Sequence, residues 1–188
     1  MNEDIQMILD LARESMEGSL EHLEKELTKI RAGKATPSML DSVQVEAYGA
    51  LSPLNQVANV NTLDARTLSI QPWDKSMLEG IERAIINANL GLNPQNNGEM
   101  IIINVPVLTE ERRRELSKAA KAAGEHAKVG IRNARKSAND EAKKMEKDGD
   151  ISEDMLSNTE QDVQALTDKH ISKVDALVGA KEKDIMTV

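Results

Sequence analysis

Three stretches of this chain repeat apolar residues every three or four positions, and do so for longer than an ordinary globular helix. In the first, Ile5, Ile8/Leu9, Ala12, Met16, Leu20, Leu23, Leu27 and Ile30 mark one face with no intervening proline, the stripe of an amphipathic helix. It is predicted to stop at Arg31-Ala32-Gly33, because glycine ends helices readily and Pro37 blocks any continuation. The second begins after Pro106. Thr109 is a suitable N-cap, and Glu110 and Glu111 suit the positive end of the helix dipole. It is predicted to run to about Lys147, roughly 58 Å at the rise of an α-helix. Its inner stripe is Leu116, Ala120, Ala123, Ala127, Ile131, Ala134, Ala138 and Met145, and so much alanine permits close helix approach. After the turn Asp148-Gly149-Asp150, Ser152 caps a third helix with the stripe Leu156, Val163, Leu166, His170, Ile171, Val174, Leu177 and Ile185. Elements of this length and pattern are strands of a helix bundle.

Residues 38–105 follow another pattern. Val43-Gln44-Val45-Glu46-Ala47-Tyr48 alternates, and Gly49 then turns the chain. Val57 to Val60, Thr67 to Ile70 and Met100 to Val105 are further strand candidates. Asp74 or Ser76 is placed to cap a short helix with Met77, Leu78, Ile81, Ile85 and Ile86 on its apolar side, closed near Gly91. Asn93-Pro94-Gln95-Asn96-Asn97-Gly98 reads as a turn-rich loop. The expected architecture is α+β: a long three-helix bundle with an inserted small β/α/β domain. The expected domains are residues 1–30 plus 106–188 for the bundle and 31–105 for the insert. Only two chain crossings, near 31–35 and 105–108, join them. Paired short linkers of that kind make a hinge, with Arg31, Gly33 and Pro106 as its candidate residues.

The core these elements bury is aliphatic. Trp73 and Tyr48 are the only aromatics and there is no Phe, which suits a narrow bundle better than a thick sandwich. Trp73 itself reads as a packing residue at a strand–helix junction. With no cysteine there is no disulfide framework, thiolate metal site or cysteine nucleophile. With the acidic start Met1-Asn2-Glu3-Asp4 no signal peptide is expected, and no apolar run reaches the roughly 18–20 residues of a membrane span. A cytoplasmic protein is expected.

The net charge of −8 argues at first against nucleic acid, but its distribution reverses that. Residues 110–147 hold 12 basic and 7 acidic side chains (+5), between 1–30 with 3 and 8 (−5) and 148–188 with 4 and 10 (−6). On the second helix Arg114, Lys118, Lys121, Lys128, Arg132 and Arg135 follow helical spacing, with Glu125 interrupting and Lys136 flanking. Such a face can grip phosphates through arginine forks. It can equally be a solvated face held by pairs such as Glu125 with Lys121 or Lys128. Lys25, Lys29, Arg31 and Lys34 extend it, or simply complement a helix C-terminus. Two aromatics cannot build a base-stacking platform, so any RNA contact should be to backbone and shape.

Catalytic constellations are weak. His22, His126 and His170 fall one on each long helix, but no carboxylate–histidine spacing supports a metal site. Gly33-Lys34-Ala35-Thr36 lacks the upstream glycine of a phosphate loop, and Pro37 would prevent the following helix. No cofactor, no metal and no enzymatic activity are expected. The competing classes are a helical adaptor or chaperone, whose binding would resist salt, and a three-histidine metallohydrolase, which would carry stoichiometric zinc.

Several segments resemble the ribosome recycling factor family. They are Ile30-Arg31-Ala32-Gly33-Lys34-Ala35-Thr36-Pro37, Asp64-Ala65-Arg66-Thr67-Leu68, Pro72-Trp73-Asp74-Lys75-Ser76, Gly91-Leu92-Asn93-Pro94, Leu108-Thr109-Glu110-Glu111-Arg112-Arg113 and the basic run Ile131 to Asp140. The resemblance covers essentially the whole chain in order. It implies an L-shaped, monomeric molecule that binds the post-termination ribosome, mainly large-subunit ribosomal RNA, through its bundle. Elongation factor G with GTP would then drive subunit separation. By motif match the resemblance gives Arg132 and Arg135 as the first RNA contacts, followed by Lys128 and Arg31; Lys121 shares the same helix face. Lys34 departs from the family, where many members carry arginine: the charge is kept and the bidentate fork is lost.

Overall fold

The computed structural model describes residues 3–187. Residues up to Ala32, together with those from Glu110 onward, form one compact unit, and Gly33–Thr109 forms the other. The first unit is three helices: α1 (Glu3–Lys29), α3 (Glu110–Asp148) and α4 (Glu153–Met186). The second holds six strands, one α-helix and three short 3₁₀ turns; its strands and α-helix are β1 (Gln44–Ala47), β2 (Ala50–Pro53), β3 (Ala58–Asp64), β4 (Thr67–Pro72), α2 (Leu78–Asn87), β5 (Asn93–Asn96) and β6 (Ile101–Asn104).

In the helical unit every helix contacts the other two. Met16, Leu20, Leu23 and Leu27 of α1 meet Ala120, Ala127, Ile131 and Ala134 of α3 and Val174 and Ile185 of α4. Further along, Ile5, Ile8, Leu9 and Ala12 meet Ala138, Ala142, Ile151 and Val163. Met16, Leu23 and Ile131 are almost wholly withdrawn from water, and each such side chain contributes about 1.5–3 kcal/mol of transfer free energy. The buried face of α3 consists of Ala120, Gly124, Ala127, Ile131, Ala134, Ala138 and Ala142. Gly124 and Ala142 thus join the predicted stripe, whereas Leu116, Ala123 and Met145 are only partly buried.

Polar residues also enter the core of α4. The hydroxyls of buried Thr159 and Thr167 donate to the carbonyls of Met155 and Val163, both at 2.8 Å. Each threonine thus satisfies its one donor within its own helix, which removes most of the cost of burial. Ser152 caps α4, its hydroxyl accepting from the Met155 N–H at 3.2 Å.

The second unit contains a β1–β2 hairpin and an antiparallel four-stranded sheet in the order β3-β4-β6-β5. Leu68, Ile70, Ile101 and Ile103 of the two central strands are fully buried and share one cluster with Leu78, Ile81 and Ile85 of α2. Segment 93–96, expected to be loop, is an edge strand paired with β6, Pro94 standing opposite Ile103. Proline is tolerated there because an edge strand leaves one side of its backbone unpaired. The turn proper is shorter: Asn97 accepts from the Glu99 and Met100 N–H groups at 3.0 and 2.9 Å, beside Gly98 at φ +88°. Strand β2 has no sequence signal of its own and forms by pairing with β1. Trp73 does not pack as expected: it is 67% exposed, and the core beside it is filled by aliphatic side chains.

Two glycines of α3 make opposite predictions. A methyl group on Gly124 would lie 2.6 Å from Cγ2 of Val178 on α4, a stiff β-branched side chain. On Gly130 it would lie 2.6 Å from the hydroxyl of Ser19, a half-buried group on a single rotatable bond that can turn away at the cost of its 3.2 Å bond to the Ser15 carbonyl. Alanine is the better helix former by about 1 kcal/mol. Gly130→Ala should therefore be neutral or stabilising in urea unfolding, while Gly124→Ala should lose about 1–3 kcal/mol through overpacking. Equal effects at the two sites would contradict this packing.

Candidate nucleic-acid interface

The basic stripe of α3 divides into two columns. One runs along the seam with α4. Lys121 pairs with Glu182 at 3.3 Å, Lys128 with Asp175 at 2.7 Å, and Lys143 with Glu160 at 3.3 Å. Between them Arg135 donates to Oε1 of Gln164 at 3.2 Å, and that amide is itself tied to Asp168 at 2.8 Å. Residues 121, 128 and 135 are seven apart, two helical turns, so they return to the same side of α3 and meet carboxylates or an amide spaced along α4. Lys128 sits deepest, its side chain 17% exposed. The hydrogen bond to Asp175 holds its ammonium above the usual lysine pKa, with the charges of Asp175 and Glu125 adding to it and desolvation opposing.

The second column faces solvent. Arg132, Lys118 and Lys136 are exposed, and none has an ion-pair or hydrogen-bond partner among the described residues. Arg114 is exposed too, but is engaged by Glu110 at 2.8 Å. On α1, Lys29 is held by Glu26 at 2.7 Å. That contact is the main reason the Glu26 carboxyl lies below the usual glutamate pKa, with smaller contributions from His22 and His126. Arg31, just beyond α1, is exposed and without a partner among the described residues. Of the five residues expected to contact RNA, Arg132 and Arg31 are thus available outright. Lys121, Lys128 and Arg135 are already engaged across the α3–α4 seam. Lys118 and Lys136, which the sequence placed in and beside the basic stripe but not among the expected RNA contacts, are open to solvent as Arg132 is.

The three histidines do not converge. The His22 and His126 rings lie 6.1 Å apart between α1 and α3. His170 is buried in α4, its Nδ1 at 2.7 Å from the Leu166 carbonyl, which makes that nitrogen the donor. Among the described residues no group of three His, Asp or Glu side chains is arranged to hold a metal, and no helix is long and apolar enough to cross a membrane.

The ribosome recycling factor family model matches residues 23–186. The ribosome-recycling factor of Christiangramia forsetii is 59% identical over 99% of this chain and 100% of its own length. The chain belongs to the ribosome recycling factor family. That of Bacillus subtilis is 50% identical over 96% of this chain and 98% of its own. A solution structure of a ribosome recycling factor superposes over the full length of both chains, with a TM-score of 0.77 at 34% identity. A second match covers 97% of this chain and 99% of the other, with a TM-score of 0.63 at 43% identity. It is the T. thermophilus ribosome recycling factor, shown with the E. coli elongation factor G bound to the E. coli post-termination complex.

Two of the segments that carry the family resemblance, those around Ala35 and Ala65, meet in the second unit. The Ala35 N–H donates to the Ala65 carbonyl at 2.9 Å, and the Val105 N–H to the Arg66 carbonyl at 2.7 Å. The β3–β4 turn thereby anchors both chain ends of the unit. Within that turn Asp64 accepts from the Arg66 N–H at 2.8 Å. This bond, helped by the Thr67 hydroxyl, keeps the Asp64 carboxyl below the usual aspartate pKa. Gly33, at φ +76°, has no room for a side chain: a methyl group would lie 2.8 Å from Cγ of Leu108. Asp74 accepts from both the N–H and the hydroxyl of Ser76, at 2.9 and 2.8 Å, and so opens the turn into α2.

The two columns should separate in stability measurements. A double-mutant cycle of Lys128→Ala with Asp175→Ala should return a coupling of about 0.5–1 kcal/mol at low salt, since Asp175 remains largely exposed. Arg132→Ala should change urea stability by less than about 0.5 kcal/mol. A zero coupling would show that the seam pairs do not hold α4 to α3.

Proposed function

We propose that this chain recycles ribosomes after termination as a binding device without an active site. In this reading it binds the post-termination ribosome, acts with elongation factor G and GTP, and promotes subunit separation and release from mRNA. Full-length similarity to proteins named for this task supports the reading, as does the likeness to a factor seen together with elongation factor G on a post-termination complex. It works as a monomer in the cytoplasm.

The observation that bears most on how it binds is the unpartnered cation column of α3. Arg132, with Lys118 and Lys136, can exchange water for phosphate oxygens without first giving up a carboxylate. We assign the principal contact with large-subunit ribosomal RNA to Arg132, supported by Arg31. Arg135, Lys128 and Lys121 contribute where the RNA backbone reaches the α4 seam, and each must share or leave its present partner to do so. Because there is no aromatic platform on these helices, the contact reads backbone and shape.

The working division of the chain is residues 1–30 plus 106–188 as the ribosome-binding bundle and 31–105 as a domain that moves about it. Arg31, Gly33 and Pro106 form the hinge. The left-handed backbone of Gly33, at φ +76°, supports that assignment, because glycine alone moves freely in and out of such a conformation.

Arg132→Ala should weaken co-sedimentation with post-termination ribosomes about ten- to hundredfold, the loss expected for one charged contact of on the order of 1–3 kcal/mol. The salt dependence should flatten by about one counterion. Arg132→Lys should restore only part, since lysine keeps the charge and not the planar fork. Normal ribosome binding by Arg132→Ala would refute the assignment. Pro106→Gly, which frees a backbone angle that the ring fixes, should leave sedimentation intact and slow subunit separation. Parallel losses in both assays would remove Pro106 from the hinge.

A further inference from the structure

Asn97-Gly98 is the only Asn-Gly pair in the chain. It lies in the loop 97–100 between β5 and β6, just past the paired residues Asn96 and Ile101. Both residues are exposed, and a Cβ built on Gly98 would meet nothing within 4 Å. Asparagine followed by glycine is the pair most open to attack by the next backbone nitrogen on the side-chain amide, because glycine brings no side chain to obstruct the approach. That much is a general property of the two residues. The turn around them decides how far it is realised.

Three hydrogen bonds bear on it. Oδ1 of Asn97 accepts from the N–H groups of Glu99 at 3.0 Å and Met100 at 2.9 Å. A side chain that reaches the second and third N–H groups ahead must fold forward past the Gly98 nitrogen, which brings Cγ towards that nitrogen. The same two donors sit on the oxygen where negative charge gathers once Cγ is attacked, as the donors of an oxyanion hole do. Nδ2, the leaving group, makes no hydrogen bond among the described residues. Against this, the Gly98 N–H donates to Oδ1 of Asn96 at 2.8 Å, which ties up the proton that must leave. Magnitudes favour reaction. One neutral hydrogen bond is a restraint of about two- to tenfold, whereas one donor aimed at an oxyanion is worth on the order of a hundredfold in a closed site. Two such donors outweigh the restraint even after solvent at an exposed turn has weakened them.

We propose that Asn97 is a site of spontaneous covalent modification: the folded turn converts it through a succinimide to aspartate and isoaspartate, with the Asn96 carboxamide as the brake. The Gly98 nitrogen gives its proton to a solvent base and bonds to Cγ of Asn97. The Cγ–Nδ2 bond breaks, and Nδ2 takes a proton from water and departs as ammonia. Water then adds to either carbonyl of the ring and reopens it, with no oxidant or reductant involved. The isoaspartyl product carries an extra methylene in the main chain and a new negative charge beside Glu99, where edge strand β5 passes to β6. The site is separate from the α3 cations and does not depend on the ribosome-recycling reading.

The test incubates the full folded chain in mildly alkaline buffer and, in parallel, the same chain unfolded in guanidinium chloride. Fragmentation of the tryptic peptide 84–112 by mass spectrometry locates amide-to-acid conversion among its asparagines, and Asn87, Asn89, Asn93, Asn96 and Asn104 serve as internal controls. Methyl transfer by an isoaspartyl methyltransferase reports the isoaspartyl share. Conversion is expected at Asn97, at least as fast in the folded chain as in the unfolded one. Asn96→Ala should accelerate it about two- to tenfold, the release of one hydrogen bond. Slower conversion of Asn97 in the folded chain than in the unfolded chain would overturn the proposal, and this comparison needs no variant. An Asn96→Ala chain that folds, by circular dichroism, and converts no faster than the parent would overturn it too.

Discussion

Close approach of helices along the alanine–glycine face of α3 sets the terms for the rest of the bundle. Ala120, Gly124, Ala127, Ala134, Ala138 and Ala142 offer little volume, so the partners must come near enough for their own larger side chains to close the gaps. Met16, Leu20, Leu23 and Leu27 do so from α1, and Val174 and Ile185 from α4. Where even a methyl group is too large, as at Gly124 against Val178, glycine gives up helix propensity for contact. A core of this kind needs no aromatics, and none lies within it.

Close packing also decides the fate of the cations. No long charged side chain can enter so narrow a core, so the lysines and arginines of α3 emerge at its flanks. Those that emerge at the α4 seam meet the acidic face of that helix and are paired: Lys121, Lys128 and Lys143. Of those that emerge further round, Arg112 and Arg114 pair with Glu115 and Glu110 of α3 itself, while Arg132, Lys118 and Lys136 face solvent. A paired cation must break an existing interaction before it can neutralise a phosphate, whereas an open one releases only solvent and counterions. The acidic and basic segments are therefore only partly complementary, and Arg132, Lys118 and Lys136 are among the cations left open to solvent.

The second unit solves the same shortage of aromatics differently. Its central strands bury Leu68, Ile70, Ile101 and Ile103 against the aliphatic face of α2. The hydrogen bonds from Ala35 and Val105 to the β3–β4 turn tie the incoming and outgoing chain to that sheet. Trp73 and Tyr48 are left on the surface.

The three long helices, the α2 face and strands β1, β4 and β6 are legible in order and type from the sequence, because hydrophobic periodicity is a local property of the chain. Ser152 as a cap and Gly49 as a turn follow from local backbone preference in the same way. Strands β2 and β5 are not legible: Asn93–Asn96 has the composition of a turn and becomes a strand because β6 supplies its hydrogen-bond partners. Thr159 and Thr167 look like surface residues until their hydroxyls are seen bonded to their own helix. The basic stripe is legible as well, and the family resemblance singles out Arg132 and Arg135 within it. What the sequence by itself determined is which residues are charged and how often they recur along α3. Which of them remain open was decided only by the tertiary structure, because an ion pair depends on the distance to a carboxylate on another helix, and no spacing along one helix contains that distance.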